Sequence, residues 1–237
     1  AVGLDRVGGA GFTMRPDKCY FGMRSVEFLG SRIGDGTIRP DDSKISQIRD
    51  ASFPESADDL KKWVGLVNWC NLHIPNAALE LKALQQRANE KMPMPPTEEE
   101  LRDFEALKAW LTDERGPVLK LPDFDKPFYL LCDAARTVGL GVVVVQLDSE
   151  SGKEHPVAYF SRRWHEAESR WHSLEHECCA IYEAVKRFGH WLHGRKFYVV
   201  TDAEALTWLN TIKNPKGKYA TWIMELQCYD FDVYHRP

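Results

Sequence analysis

Asp133 ends the apolar run FYLLCD, and Asp202 ends the similar run KFYVVTD; each run is strand-like and otherwise made of core-forming residues. Glu177 lies in SLEHECCAIYEAVKRF, where Leu174, Glu177, Ile181, Ala184 and Phe188 recur at spacings of three and four and share one helical face. Four of these five residues are apolar. The Glu177 carboxylate therefore interrupts a core-facing stripe, and an isolated ionised carboxylate is costly to bury. Three such acids brought together would repel one another unless cations lay between them. An all-oxygen donor set favours Mg²⁺ or Mn²⁺ over zinc, so the chemistry this pattern allows is divalent-metal chemistry. Each acid also has a plainer reading: Asp202 as the cap of a following helix, Asp133 in turn chemistry, Glu177 as a partly exposed partner of a lysine or arginine.

The elements that must position these acids follow from periodicity. From Phe128 onward, FYLLCD, GLGVVVVQL and HPVAYFS read as strands, and a long helix covers roughly 172–188. KFYVVTD is the next strand, EALTWLN and KYATWIMELQ are helices, and FDVYHRP closes the pattern as a strand. A strand–helix–strand connection favours parallel neighbours, whose carboxyl ends border the crevice where ligands bind. Upstream the pattern differs. YFGMRSVEFLGSRI reads as a hairpin and GDGTIRP as a turn. Ser56 with Asp59 marks a helix start, and Leu60, Trp63, Val64 and Val67 form its apolar stripe. A second helix is expected over NAALELKALQQRANEKM, and MPMPP breaks the chain because proline cannot continue a helix. Thr97 with Glu100 starts a third helix, whose apolar face is Leu101, Phe104, Leu107 and Leu111.

The 237 residues suffice for one large domain or two modest ones, and the net charge of −4 gives no global attraction to nucleic acid. Any such contact must come from local basic patches. Six cysteines without a C-x-x-C pair read as scattered reduced thiols in an intracellular protein. No run approaches membrane-spanning length and no signal peptide opens the chain, so no membrane partner is expected. Both ends read as cuts through something longer. His172 and His176, four apart on a helix, have a zinc-compatible spacing but no evident third ligand.

The segments FYLLCDAA, HPVAYFSRRW, HSLEHECCAIYEAVKRFGHWLHGRKFYVVTDAEALTWL and ELQCYDFDVYHRP closely resemble the ribonuclease H domain of gypsy-type LTR-retrotransposon Pol polyproteins. Upstream, AGFTMRPDKCYFGMRSVEFLGSRIGDGTIRPDDSKISQI is similar to the end of the family's reverse-transcriptase palm, and LKKWVGLVNWCNLHIPNAALELKAL to its thumb. The resemblance covers essentially the whole chain. It implies an α/β (α+β) fold in which a small helical thumb precedes a ribonuclease H-like mixed five-stranded sheet flanked by helices. It divides the chain into the palm end (1–50), thumb helices (51–92), a linker and connecting helix (93–120) and a ribonuclease H-like domain (121–237) that stops before its last helix.

The resemblance further implies that Asp133, Glu177 and Asp202 ligate two Mg²⁺ ions, with Mn²⁺ as an alternative, and that the domain hydrolyses the RNA strand of an RNA–DNA hybrid. Phe28, Leu29 and Gly30 resemble the primer grip, while Lys61, Lys62 and Asn68 would pack on the duplex backbone. Arg195, Lys196 and Lys213 belong to a locally basic stretch expected to meet phosphates. The implied partners are an RNA–DNA hybrid or primer–template duplex, the rest of a Pol polyprotein, and a second copy in a homodimer; the implied place is a cytoplasmic particle or the nucleus. The family's polymerase aspartates precede residue 1, and its fourth metal-site aspartate follows HRP. Ala135 and Ala203 stand where the family often has serine and histidine, and NLHIPN is less basic than the family pattern. These departures keep an alternative open: a domesticated, inactive remnant that binds protein or nucleic acid.

Overall fold

The computed structural model describes the chain apart from residues 1, 14, 16, 18, 93, 94, 202–208, 210, 236 and 237. A short helix, α1 (Val2–Gly9), precedes an antiparallel sheet of β1 (Ser25–Phe28), β2 (Ser31–Gly34), β3 (Thr37–Pro40) and β4 (Leu119–Lys120). Two tight turns build it. Leu29 and Gly30, and again Asp35 and Gly36, all take positive φ, the conformation whose twist matches that of the flanking strands. The expected hairpin is thus present at Ser25–Gly34, but TIRP is a third strand and not a turn, because only Asp35 and Gly36 are needed to reverse the chain. The next helix, α2 (Asp42–Arg49), follows the expected turn in a stretch where the sequence pattern announces no helix. Asp41 caps it by accepting from the Lys44 amide at 2.9 Å.

Helix α3 (Ala57–Trp69) starts as expected, with the Ser56 hydroxyl accepting from the Asp59 amide at 3.1 Å. Its stripe Leu60, Trp63, Val64 and Val67 is buried. The second helix forms as two pieces, α4 (Ala77–Glu80) and α5 (Lys82–Glu90), joined at the fully buried Leu81. Helix α6 (Glu98–Thr112) carries the complete capping box of Thr97 and Glu100 and buries Phe104, Leu107 and Leu111 against α2, α3 and α5.

The second sheet holds β5 (Tyr129–Ala135), β6 (Gly139–Leu147), β7 (Glu154–Arg163), β8 (Lys196–Thr201) and β9 (Asp230–His235), in the order β7-β6-β5-β8-β9. It is mixed: β5 pairs antiparallel with β6 and parallel with β8, and β8 pairs parallel with β9. The long helix α7 (Ser173–Leu192) and α8 (Lys218–Leu226) pack on the face lined by Leu130, Cys132, Val142, Val144, Phe197 and Val199. Trp222 of α8 is buried in that core. The helix expected over EALTWLN lies almost wholly outside the described residues. No described helix is long and apolar enough to cross a membrane.

Candidate active site

Asp133 is the fifth residue of β5 and is exposed, whereas its neighbour Cys132 points into the core. Glu177 sits in the second turn of α7 and is 6% exposed, as its interruption of the apolar stripe requires. The two acids share Cys132 as a neighbour. Burial raises the pKa of that thiol most, and the charges of Glu177 and then Asp133 raise it further. An apolar strand and an apolar helix face thus each carry one carboxylate near Cys132. Asp202 lies outside the described residues. The strand leading to it does not: β8 ends on the buried Thr201, and its register pairs Val200 with Leu131, each two residues before an aspartate.

Among the described residues, no group of three or more His, Cys, Asp and Glu side chains could hold a metal ion. The donors that Asp133 and Glu177 offer are oxygen only, the kind that suits a hard dication, and burial raises the pKa of the thiol beside them. The histidine pair is not a zinc site. The Leu174 amide donates to His172 Nδ1 at 3.3 Å, so His172 caps α7. His176 is fully buried, stacks on Trp164 at 4.5 Å, and its Nε2–H donates to the Glu168 carbonyl at 2.8 Å.

The helix bearing Glu177 is anchored on both flanks. At its start, Glu175 accepts from the His172 amide at 2.7 Å, from Lys218 Nζ at 2.7 Å and from the Tyr219 hydroxyl. Burial pushes the Glu175 pKa up, but the Lys218, Tyr219 and His172 hydrogen bonds outweigh it and bring it down to about 2. Lys218 in turn lies 3.5 Å from the centre of the Trp171 ring. Further along, Arg162 of β7 grips Glu168 through two hydrogen bonds of 2.7 and 3.0 Å and reaches Glu183 at 3.3 Å. Arg162 is a fastener of the fold, engaged by carboxylates.

The residues expected at nucleic acid fall in two places. Phe28 and Leu29 project from the β1–β2 turn, 58% and 80% exposed. Gly30, also in that turn, faces α3 so closely that a Cβ there would lie 2.9 Å from Trp69. The hairpin tip thus lies against the end of α3, where Asn68 is exposed; Lys61 is exposed two turns earlier, and Lys62 is paired with Asp59 at 2.8 Å. Arg195 and Lys196 lie at the other end of β8 from Thr201, roughly 17 Å away for a strand of this length. Arg195 donates to the Phe124 carbonyl, and Lys196 pairs with Asp232 at 2.9 Å. Lys213 is exposed in the stretch before α8. Arg195 and Lys196 are thus not beside Asp133 and Glu177.

A contact that sequence reasoning missed lies next to Asp133. Asn76, just before α4, reaches across to Gly141 of β6. The one signal was a glycine leading into the valine run of a strand, which marks a close approach.

Residues 123–229 match the family described as the RNase H-like domain found in reverse transcriptase. Two relatives are segments of Drosophila melanogaster proteins. The retrovirus-related Pol polyprotein from transposon 297 is 31% identical over 96% of this chain and 21% of its own length. The corresponding polyprotein from transposon 412 is 33% identical over 93% of this chain and 17% of its own length. The chain thus spans about a fifth of the curated relatives it matches. Among solved structures, foamy viral protease-reverse transcriptase in complex with RNA/DNA hybrid superposes with a TM-score of 0.72 at 18% identity, covering 90% of this chain and 29% of that one. At that identity the likeness is one of fold.

Proposed function

We propose that this chain hydrolyses the RNA strand of RNA–DNA hybrids, because residues 123–229 match the RNase H-like domain found in reverse transcriptase and nearly the whole chain is similar to segments of retrotransposon Pol polyproteins. The single observation that carries this reading is Glu177: a carboxylate 6% exposed on an apolar helix face, beside the strand that carries Asp133. Asp133, Glu177 and Asp202 are the residues that would hold two Mg²⁺ ions. Bound there, the ions would supply water activation and neutralise charge on the leaving oxygen. The chain's own groups do the rest. Glu177 enters the site from a helix anchored by Glu175 at its start and by Arg162 through Glu183, so its carboxylate has little freedom to withdraw. The exposed Asp133 presents its oxygens to the hybrid backbone from the sheet. The 2′-hydroxyl would mark the strand to be cut.

The hairpin tip Phe28–Gly30 and the exposed side of α3 support a second, linked role, holding primer–template during RNA-directed DNA synthesis by a larger Pol polyprotein. The deciding experiment is cleavage of an RNA–DNA hybrid in Mg²⁺ by the wild type and by Glu177→Gln. Loss of a ligating carboxylate should lower kcat on the order of 100-fold or more, with the fold unchanged by circular dichroism. Equal rates would remove Glu177 from the chemistry.

A further inference from the structure

Asp133, Gly141 and Ser161 form a row across three strands, Asp133 pairing with Gly141 on β6 and Gly141 with Ser161 on β7. Residues directly opposite on antiparallel strands project to the same face, so all three share the side of the sheet away from α7. The helical body sits on two of the three. The Ala78 amide donates to Ser161 Oγ at 2.8 Å, and Arg163, two residues along on the same face, donates to Gln85 at 3.0 Å. Between them Asn76, with φ at +52°, lays its side chain over Gly141: a Cβ at 141 would come within 2.5 Å of Asn76 Oδ1. The third place in the row is the carboxylate of Asp133.

We propose that Asn76 is a positioning residue for Asp133, so that the helical body supplies one wall of the hydrolytic centre. This rests on Asp133 and Glu177 being metal-ligating carboxylates. Asn76 acts through β6. Its amide fixes the height of the Gly141 backbone, Gly141 is paired with Asp133, and a metal site tolerates displacement of a ligand by only about half an ångström. The short asparagine side chain has little room to yield. Its left-handed backbone is fixed by the start of α4, and the Ala78–Ser161 bond holds that start against the sheet. A duplex engaged by the helical body would thus be read directly at the carboxylates.

The test is a double-mutant cycle on the 237-residue chain: wild type, Gly141→Ala, Asn76→Gly, their combination, and Glu177→Gln as reference. Mn²⁺ alone is titrated by calorimetry, kcat and KM are measured for hybrid cleavage, and melting is followed to confirm folding. Glycine at 76 keeps the left-handed backbone while vacating the space a methyl at 141 would fill. Gly141→Ala should weaken Mn²⁺ binding and lower kcat by about tenfold with KM little changed. Asn76→Gly alone should cost about threefold, and the double variant should return to within about twofold of wild type. If Gly141→Ala matches wild type, or Asn76→Gly does not relieve it, while Glu177→Gln is defective, Asn76 has no positioning role and the carboxylate reading stands. If Glu177→Gln itself binds Mn²⁺ as wild type does, the carboxylate reading falls and takes this inference with it. Should Gly141→Ala not fold, Asn76→Gly alone decides: undiminished Mn²⁺ affinity and kcat overturn the proposal.

Discussion

Arg87 and Glu100 form an ion pair at 2.8 Å with both side chains almost wholly buried between α5 and α6. Glu100 has a second duty, accepting from the Thr97 amide and hydroxyl at the start of α6. Burial alone would raise its pKa, but the Arg87 hydrogen bond and the Thr97 amide hold it low. Removing only the cation leaves a buried charge with too few partners. Arg87→Met should therefore cost about 3–5 kcal/mol in urea denaturation, and Arg87→Met with Glu100→Gln should recover part of it, since glutamine still accepts from Thr97. Of the carboxylates, Glu177 was the most legible in the sequence, because a charge in an apolar helical stripe has few reasons to be there. Arg162 was less so: its binding of Glu168 and Glu183 depends on where β7 meets α7, which one-dimensional spacing does not encode.

At the scale of elements, α7 and α8 are held together where Glu175 meets Lys218 and Tyr219, two residues ahead of Glu177. The folded pKa of Glu175, about 2, lies below its ordinary value. The stability it contributes is complete above the unfolded carboxylate range and is lost as pH falls from about 5 toward 2. Wild type should therefore lose stability over that window more steeply than Lys218→Met, by on the order of 1 kcal/mol because Tyr219 and the His172 amide still hold Glu175 in the variant, as read from denaturation midpoints at pH 6 and pH 2.5. Local signals made most elements readable. Thr97 and Glu100 announced α6, and Ser56 announced α3. Helix α2 was missed although Asp41 is an orthodox cap, because DSKISQIR has only two apolar residues and makes a faint stripe. The strand TIRP was missed because its neighbours supply both of its edges, β2 on one side and β4 on the other.

For the molecule as a whole, two cores are joined through the outer strand of the larger sheet. Besides the Ser161 and Arg163 bonds, Leu72, in the short helix Asn71–His73, packs against the larger core, and β4 and α4 lie against β7. Polar side chains on β7 thus help to tie the two cores together. Ser161→Ala, which leaves the Ala78 amide without its acceptor, should cost about 1–3 kcal/mol, and calorimetry should show the single melting transition broaden as the two cores part. This joint was invisible in the sequence. Asn76, Gly141 and Ser161 are individually unremarkable, and only the docking of one core on the other assigns them a common task.

The pairing of β3 with β4 joins residues about eighty positions apart, across the entire helical body. A ribosome releasing this chain at 5–20 residues per second leaves the β3 edge unpaired for roughly 4–16 s. During that interval Ile38 and its row of open amides are a template for any extended neighbour. Arg39 and Pro40, at the end of that edge, are residues of the kind that discourage such pairing until Leu119 arrives.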